Sequence, residues 1–223
     1  MPVQGTQFFG GSVPFYNGVI NQSVRLNGSN THFRRTEGSG GDRRQVTYSF
    51  WIKHGDDGNT NYNPIIFSKG NNVANADTIY FQIRTTGNNG DIYMRATIND
   101  AETALIVTNR VFRDPSAWYH FVLAFDTDQS TNTDRMKLYV NGVQETSFGQ
   151  RNNPGQNDDM AVNSTTSHVL GSTLNGYLAQ YIIADGQSYA ATTFGSTDSN
   201  GVWITNPGPS VSYGTNGFKL DFK

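Results

Sequence analysis

The chain has 223 residues, 35% hydrophobic and 15% charged, with a formal net charge of −2, enough to bury a real core; all-β chains of up to about 250 residues fold as one domain. No apolar run reaches the roughly 18 residues of a membrane helix, and Met1-Pro2-Val3-Gln4-Gly5 lacks the basic and apolar regions of a signal peptide, so neither membrane insertion nor secretion is expected. Sixteen Lys and Arg against 18 Asp and Glu leave no basic stripe for nucleic acid, and the lack of cysteine excludes disulfides, thiolate metal sites and a cysteine nucleophile.

Asparagine and glycine stand at 24 each, with 11 Tyr and 14 Phe, against 3 Glu and 5 Lys. Glu and Lys furnish helix surfaces, whereas Asn, Gly, Thr and aromatic residues populate turns and strands, so an all-β, loop-rich chain is expected. Residues 1–20 read as an N-terminal extension in which Phe8, Phe9, Phe15 and Tyr16 sit among Gly10, Gly11 and Pro14 without a charge. Burying each such ring is worth roughly 1.5–3 kcal/mol. The segment therefore either seals an edge of its own domain or docks onto a neighbouring chain through those four rings. Residues 21–223 show no repeat or composition break and read as one domain.

Within it, period-2 windows closed by Gly, Asn or Asp predict strands at Val24–Leu26, Val46–Ile52, Ile65–Ser68, Ile79–Arg84, Ile92–Ile98, Ala104–Val107, Trp118–Asp126, Lys137–Val140, Gln144–Phe148 and Gly176–Ala184. In the second of these, Val46, Tyr48, Phe50 and Ile52 form a core row and Trp51 faces a different layer. Asn141-Gly142 between two such windows predicts a two-residue type I′ hairpin, and Asn88–Asp91 a looser one. Arg34-Arg35 and Arg43-Arg44 flank Gly38-Ser39-Gly40-Gly41 as a solvated hairpin end, the alternative being contact with an acidic glycan or partner. Residues 149–166 read as a long polar loop, and only Ala190–Phe194 reads as a helical turn.

Trp118-Tyr119-His120-Phe121-Val122-Leu123-Ala124-Phe125-Asp126, a polar loop, then Met136-Lys137-Leu138-Tyr139-Val140-Asn141-Gly142-Val143 resembles the laminin-G-like group of concanavalin A-like jelly rolls; so do Tyr48-Ser49-Phe50-Trp51-Ile52-Lys53 and Leu174-Asn175-Gly176-Tyr177-Leu178-Ala179-Gln180. The likeness spans about residues 22–186 and implies a two-sheet antiparallel jelly-roll sandwich. Phe112–Trp118, Asp134–Lys137, Ile183-Ala184-Asp185-Gly186-Gln187, Phe194-Gly195 and Tyr213-Gly214-Thr215-Asn216-Gly217-Phe218 are similar to segments of virion proteins of tailed bacteriophages. That narrower resemblance implies a structural or adhesive subunit in a tail-fibre or head-decoration position, assembled in the host cytoplasm, contacting other virion proteins and host surface glycan. A homo-oligomer, a trimer as in phage fibres, belongs to the same implication.

Glucanases of the resembled group carry Glu-x-Asp-x-Glu on one strand so that the carboxylates share a cleft. No such motif exists here, and Asp126-x-Asp128 is the nearest pair, at a strand end where turn chemistry accounts for it; a polysaccharide hydrolase is thus the alternative and no enzyme the expectation. The resemblance adds calcium at a sandwich rim, with Asp126, Asp128 and Asp134 as candidate ligands beside Asp158 and Asp159. Solvated loop aspartate is the simpler reading, and no other cofactor is implied. His120 is expected to hydrogen-bond a neighbouring backbone group rather than a metal. For a glycan, Tyr62 between Asn61 and Asn63 supplies an aromatic ring beside planar amides.

Overall fold

The computed structural model describes residues 20, 22–28, 31–55, 64–69, 77–84, 90–165, 167–171 and 174–223. Its strands are β1 Val24–Asn27, β2 Phe33–Thr36, β3 Gln45–His54, β4 Pro64–Lys69, β5 Thr78–Ile83, β6 Asp91–Ile98, β7 Ala101–Val111, β8 Tyr119–Asp126, β9 Met136–Val140, β10 Val143–Gln144, β11 Phe148–Asn152, β12 Ser167–Leu170, β13 Asn175–Asp185, β14 Gly195–Thr197, β15 Trp203–Thr205 and β16 Phe218–Leu220. Among the described residues the helical elements are two single 3₁₀ turns, Asn132–Asp134 and Ala191–Thr193, the second within the stretch expected to be helical.

All pairings are antiparallel. One sheet runs β1-β13-β3-β8-β9-β10, with β16 sharing the edge of β13 beyond β1; the other runs β11-β7-β6-β5-β4-β12-β2; β14 and β15 pair separately. This is the expected two-sheet jelly-roll sandwich. Its core lies between the sheets, where Val46, Tyr48, Phe50 and Ile52 of β3 meet Ile79, Phe81 and Ile83 of β5 and Ile92 and Met94 of β6. Phe50 and Phe121 each pack against Phe81 at ring separations of 5.6 and 5.4 Å in edge-on geometry, the arrangement ring quadrupoles favour.

The alternation in β3 sends Trp51 to the other face, into a second cluster with Val122, Ala179, Ile182, Ala191, Phe194 and Trp203. The outer face of the first sheet is thus roofed by the chain's own C-terminal segment. The Asn141-Gly142 hairpin has the two left-handed residues a type I′ turn needs, at φ 47° and 80°, and joins β9 to β10 with Val140 opposite Val143.

Three readings are corrected. Gln144–Phe148 is not one strand: β10 ends at Gln144, and β11 begins at Phe148 and crosses to β7 of the other sheet, with Gln150 opposite Val107. Residues 149–166 are not all loop. They open with β11 and then bury Met160, Ala161 and Val162 completely, because the Met160 backbone is fixed between the Arg43 carbonyl and the Arg43 guanidinium at 2.9 Å each. The Gly38–Gly41 turn is no hairpin end, since β2 pairs with β12 in one sheet and β3 lies in the other, so the turn carries the chain between layers.

Candidate functional site

Beneath the C-terminal roof, the His120 ring lies fully buried, 4.9 Å from that of Trp51 and stacked on it. Trp203 Nε1–H donates to His120 Nδ1 at 3.0 Å, and His120 Nε2 is 2.9 Å from Ser49 Oγ. Indole nitrogen can only donate, so Nδ1 accepts, Nε2 carries the proton, and Ser49 Oγ receives it. The ring's partners are side chains, not the neighbouring backbone expected from sequence. Burial pulls the His120 pKa down to about 3, which keeps it neutral, and its total enclosure removes it from catalysis.

A depressed histidine pKa makes the fold bind fewer protons than the unfolded chain, so stability is intact above about pH 6.5 and falls as pH drops from there toward 3. Urea unfolding at pH 4 is expected to show a loss of about 3 kcal/mol attributable to this residue. A His120→Gln variant, weaker at pH 7, should show a correspondingly flatter profile between pH 7 and 4; an equally steep one would place the sensitivity elsewhere.

Beyond the roof, the same outer face ends in an exposed aromatic patch. Tyr177 of β13 is 39% exposed, with the Trp118 ring 6.3 Å away. β1 pairs Arg25 with Tyr177 and sets its guanidinium 5.2 Å over that ring. Arg25 Nη2 donates to Asn175 Oδ1 at 2.7 Å, which fixes both planar groups beside the tyrosine, and Lys53 of β3 is its register partner on the other side. Aromatic rings next to a planar cation and an amide form a surface on which a pyranose stacks its C–H face and pairs its hydroxyls. Trp118 and Tyr177 stand in the quoted motifs, but they become neighbours only through the strand order β13-β3-β8.

The acidic rim is differently employed. Asp126 accepts from Gln45 Nε2 at 3.2 Å and Gln129 Nε2 at 2.7 Å, Asp128 faces Arg44 at 3.5 Å, and Asp134 pairs with Lys137 at 3.0 Å. Arg44 also reaches Asp159 at 3.4 Å, and Arg135 donates to the carbonyls of Gln129, Ser130 and Pro154. Among the described residues, no group of three or more His, Asp and Glu side chains could hold a metal ion. One arginine of each basic doublet pairs with an acid at 2.9 Å, Arg35 with Glu37 and Arg43 with Asp77. Tyr62, Asn61 and Asn63, like Phe8, Phe9, Phe15 and Tyr16, lie outside the described residues.

The glutamates are scattered. Glu37 lies buried against Arg35, Glu102 pairs with Arg95 across β6 and β7, and Glu145 accepts from the Ser147 backbone N–H.

With strand order and core in place, the concanavalin A-like lectin/glucanases superfamily, in its laminin G 3 form, matches residues 27–190, well over half of the chain. The chain belongs to this family. No curated protein matches it. Among solved structures, this laminin-G-like domain is similar to a native heptameric SAP-like pentraxin from Limulus polyphemus, at 14% identity over 87% of this chain and 96% of that one, TM-score 0.45. It is similar to the binding domain of botulinum neurotoxin serotype D, at 16% identity over 80% of this chain and 42% of that one, TM-score 0.50. The enzymatically active domain of tailspike protein 2 of bacteriophage CBA120 aligns at 10% identity over 86% of this chain and 36% of that one, TM-score 0.42. The chain thus spans less than half the length of the latter two.

Proposed function

We propose that this laminin-G-like domain is a non-catalytic, adhesive or structural subunit of a tailed-bacteriophage particle, and that it holds a host-surface glycan on Tyr177 and Trp118 with Arg25 and Asn175. The observation that carries the binding reading is the exposed Tyr177 ring braced by Arg25 at 5.2 Å, next to Trp118. Ala191, Phe194 and Trp203 roof the middle of that sheet face, over Trp51, Val122, Ala179 and Ile182, and the patch lies outside this roof. The phage assignment, with other virion proteins as neighbours and a homo-oligomeric state, rests on the motif likeness of residues 112–118, 134–137, 183–187, 194–195 and 213–218. A non-enzymatic role is supported by the missing Glu-x-Asp-x-Glu strand and by the separate commitments of all three glutamates.

Titration calorimetry with polysaccharide from the host envelope tests the reading. Tyr177→Ala is expected to weaken binding by about tenfold or more while the chain still melts cooperatively at a modestly lower temperature, because the ring lies at the surface outside both core clusters. Equal binding by the variant would overturn the site. Release of reducing sugar that Asp126→Asn abolishes would overturn the non-enzymatic reading and restore the hydrolase.

A further inference from the structure

At the Tyr177 patch, the row of side chains that crosses the outer face of the first sheet alternates cation and ring. Antiparallel register sets Arg25 of β1 opposite Tyr177 of β13, and Tyr177 opposite Lys53 of β3. The β3–β8 pairing has Ile52 opposite Tyr119, and its next step brings Lys53 opposite Trp118. Lys53 stands two residues after Trp51, so alternation sends it to the same outer face on which Trp51 lies in the roofed cluster. The order across the strands is therefore Arg25, Tyr177, Lys53, Trp118. Two strand spacings, roughly 9–10 Å, separate the Tyr177 and Trp118 positions, yet their rings are 6.3 Å apart and so lean toward one another across Lys53. Lys53 is half-buried there. Such a lysine lays its methylenes along apolar surface and keeps its ammonium in water.

Neither cation has a carboxylate partner among the described residues. Arg25 uses two N–H groups on neutral oxygens, Asn175 Oδ1 at 2.7 Å and the Gly176 carbonyl at 3.4 Å, out of the five a guanidinium carries. Arg43, Arg44, Arg84 and Arg95, by contrast, each face an aspartate or glutamate. Asp114, on the loop before Trp118, is committed to the Ser116 N–H at 2.8 Å and the Ser116 hydroxyl at 2.6 Å. Like charges gathered on one row repel, and a chain of net charge −2 is under no compositional pressure to gather them. A neutral sugar would use the rings and leave both charges idle. An anionic one uses all four members of the row, because the planar guanidinium fork matches a carboxylate or sulfate in two parallel hydrogen bonds and the ammonium adds a point charge.

We infer that the glycan of the Tyr177 patch is acidic: a pyranose chain bearing carboxylate or sulfate groups lies against the Tyr177 and Trp118 rings, with its anionic groups paired to Arg25 and Lys53. This rests on the reading of the patch as a glycan site, and adds to it the charge class of the glycan and Lys53 as a residue that selects it.

Titration calorimetry of the full chain compares oligogalacturonate with its methyl ester, the same backbone without charge, and dextran sulfate with dextran. At least one anionic ligand is expected to bind saturably, about tenfold or more tighter than its neutral counterpart, and to weaken as salt is raised. A galacturonate preference identifies the anion as a sugar carboxylate, and a dextran sulfate preference as a sulfate. Lys53→Gln and Arg25→Gln, each verified as folded by a cooperative thermal melt, should cut that affinity by about fivefold or more. Lys53→Arg should keep it, and Lys137→Gln, which removes a cation paired with Asp134, should leave it unchanged. Absence of saturable binding by either anionic ligand, affinities equal to those of the neutral counterparts, or unaltered binding by Lys53→Gln and Arg25→Gln would each overturn the acidic specificity. If Tyr177→Ala still weakens binding of the host-envelope polysaccharide in that event, the glycan site itself stands; if it does not, both are lost. Asp56 and Asp57 lie outside the described residues, and anion binding that emerged only in an Asp56→Asn, Asp57→Asn chain would mean that these acids already neutralise the row, which also overturns the inference.

Discussion

Trp203→Ala is expected to lower the unfolding free energy by about 3–5 kcal/mol, the range for deleting a large buried aromatic side chain, and to lower the melting temperature by roughly 10 °C. Trp203 is the keystone of the C-terminal roof. Its ring is 8% exposed, stacks near His120 at 6.0 Å and lies so close to Gly142 and Gly195 that no side chain fits at either position. Truncation also strips His120 Nδ1 of its donor. A Trp203→Phe variant separates the two effects, since it keeps most of the buried ring and loses only the hydrogen bond, about 1–3 kcal/mol. Urea denaturation at pH 7 measures both. With the indole gone, water reaches His120, its pKa rises toward the ordinary value, and the acid sensitivity between pH 6.5 and 4 shrinks in the alanine variant. A cost below about 1 kcal/mol would mean that the roof is not part of the cooperative unit.

The roof also bears on where this domain ends. The family match stops at residue 190, but Ala191, Phe194 and Trp203 cover Trp51, Val122, Ala179 and Ile182. A fragment cut at residue 190 would expose a contiguous apolar sheet face, so residues 191–205 belong to the folding unit.

Period-2 alternation made β3 legible, including the opposite facing of Trp51, because one row, Val46, Tyr48, Phe50 and Ile52, is wholly apolar while the other, Thr47, Ser49, Trp51 and Lys53, is polar apart from Trp51. The Asn-Gly hairpin was legible down to its dihedral angles, since those two residues are the ones that tolerate them. β2 and β11 were not. Phe33-Arg34-Arg35-Thr36 and Phe148-Gly149-Gln150-Arg151-Asn152 are edge strands held by backbone pairing with β12 and β7, and their mostly exposed side chains carry no core pattern. The roof was illegible for a similar reason. Its short strands and turns are shaped by the sheet beneath them, not by a period of their own. Of the candidate site, the chemistry of Trp118 and Tyr177 is visible in sequence, whereas their adjacency depends on the order β13-β3-β8, which no local signal specifies.

The motifs behind the narrower phage likeness gain a physical meaning from their placement. Ile183–Gln187 and Tyr213–Phe218 are distant in sequence but joined in space, because Asp185 accepts from the Asn216 backbone N–H at 2.9 Å and the Tyr213 carbonyl accepts from the Asp185 N–H at 3.3 Å. Gly214, at φ 60°, lies against the Asp185 carbonyl with no room for a Cβ. These residue types at this spacing therefore describe how the C-terminal segment is clasped to β13.

Asp185→Ala is accordingly expected to be the other severe substitution, at about 3–5 kcal/mol, because three donors lose their buried acceptor at about 1–3 kcal/mol each. The Asp185 carboxylate is 2% exposed and accepts three hydrogen bonds: from the Asp42 N–H at 2.8 Å, from Asn163 Nδ2 at 2.7 Å and from the Asn216 N–H at 2.9 Å. It ties the inter-sheet turn, the segment after Met160 and the C-terminal clasp to one strand end, and its loss leaves three donors in a dry site. Asp185→Asn tests whether acceptor capacity or volume matters. The amide keeps the volume but presents an NH₂ group to donors, so it should be nearly as damaging as alanine; a silent Asp185→Asn would show that packing alone carries the contact. A second readout comes from Glu37, whose pKa is raised first by burial and further by the Asp185 charge, against the lowering effect of Arg35. Removing that charge should move the Glu37 carboxyl titration, followed by its ¹³C shift, to lower pH. Because a raised carboxylate pKa favours the fold at low pH and is a liability as pH rises through it, Asp185→Ala should also remove part of that pH-dependent loss. An unmoved Glu37 titration would mean that the two carboxylates do not sense one another, and the clasp would then be a set of separate hydrogen bonds rather than one coupled cluster.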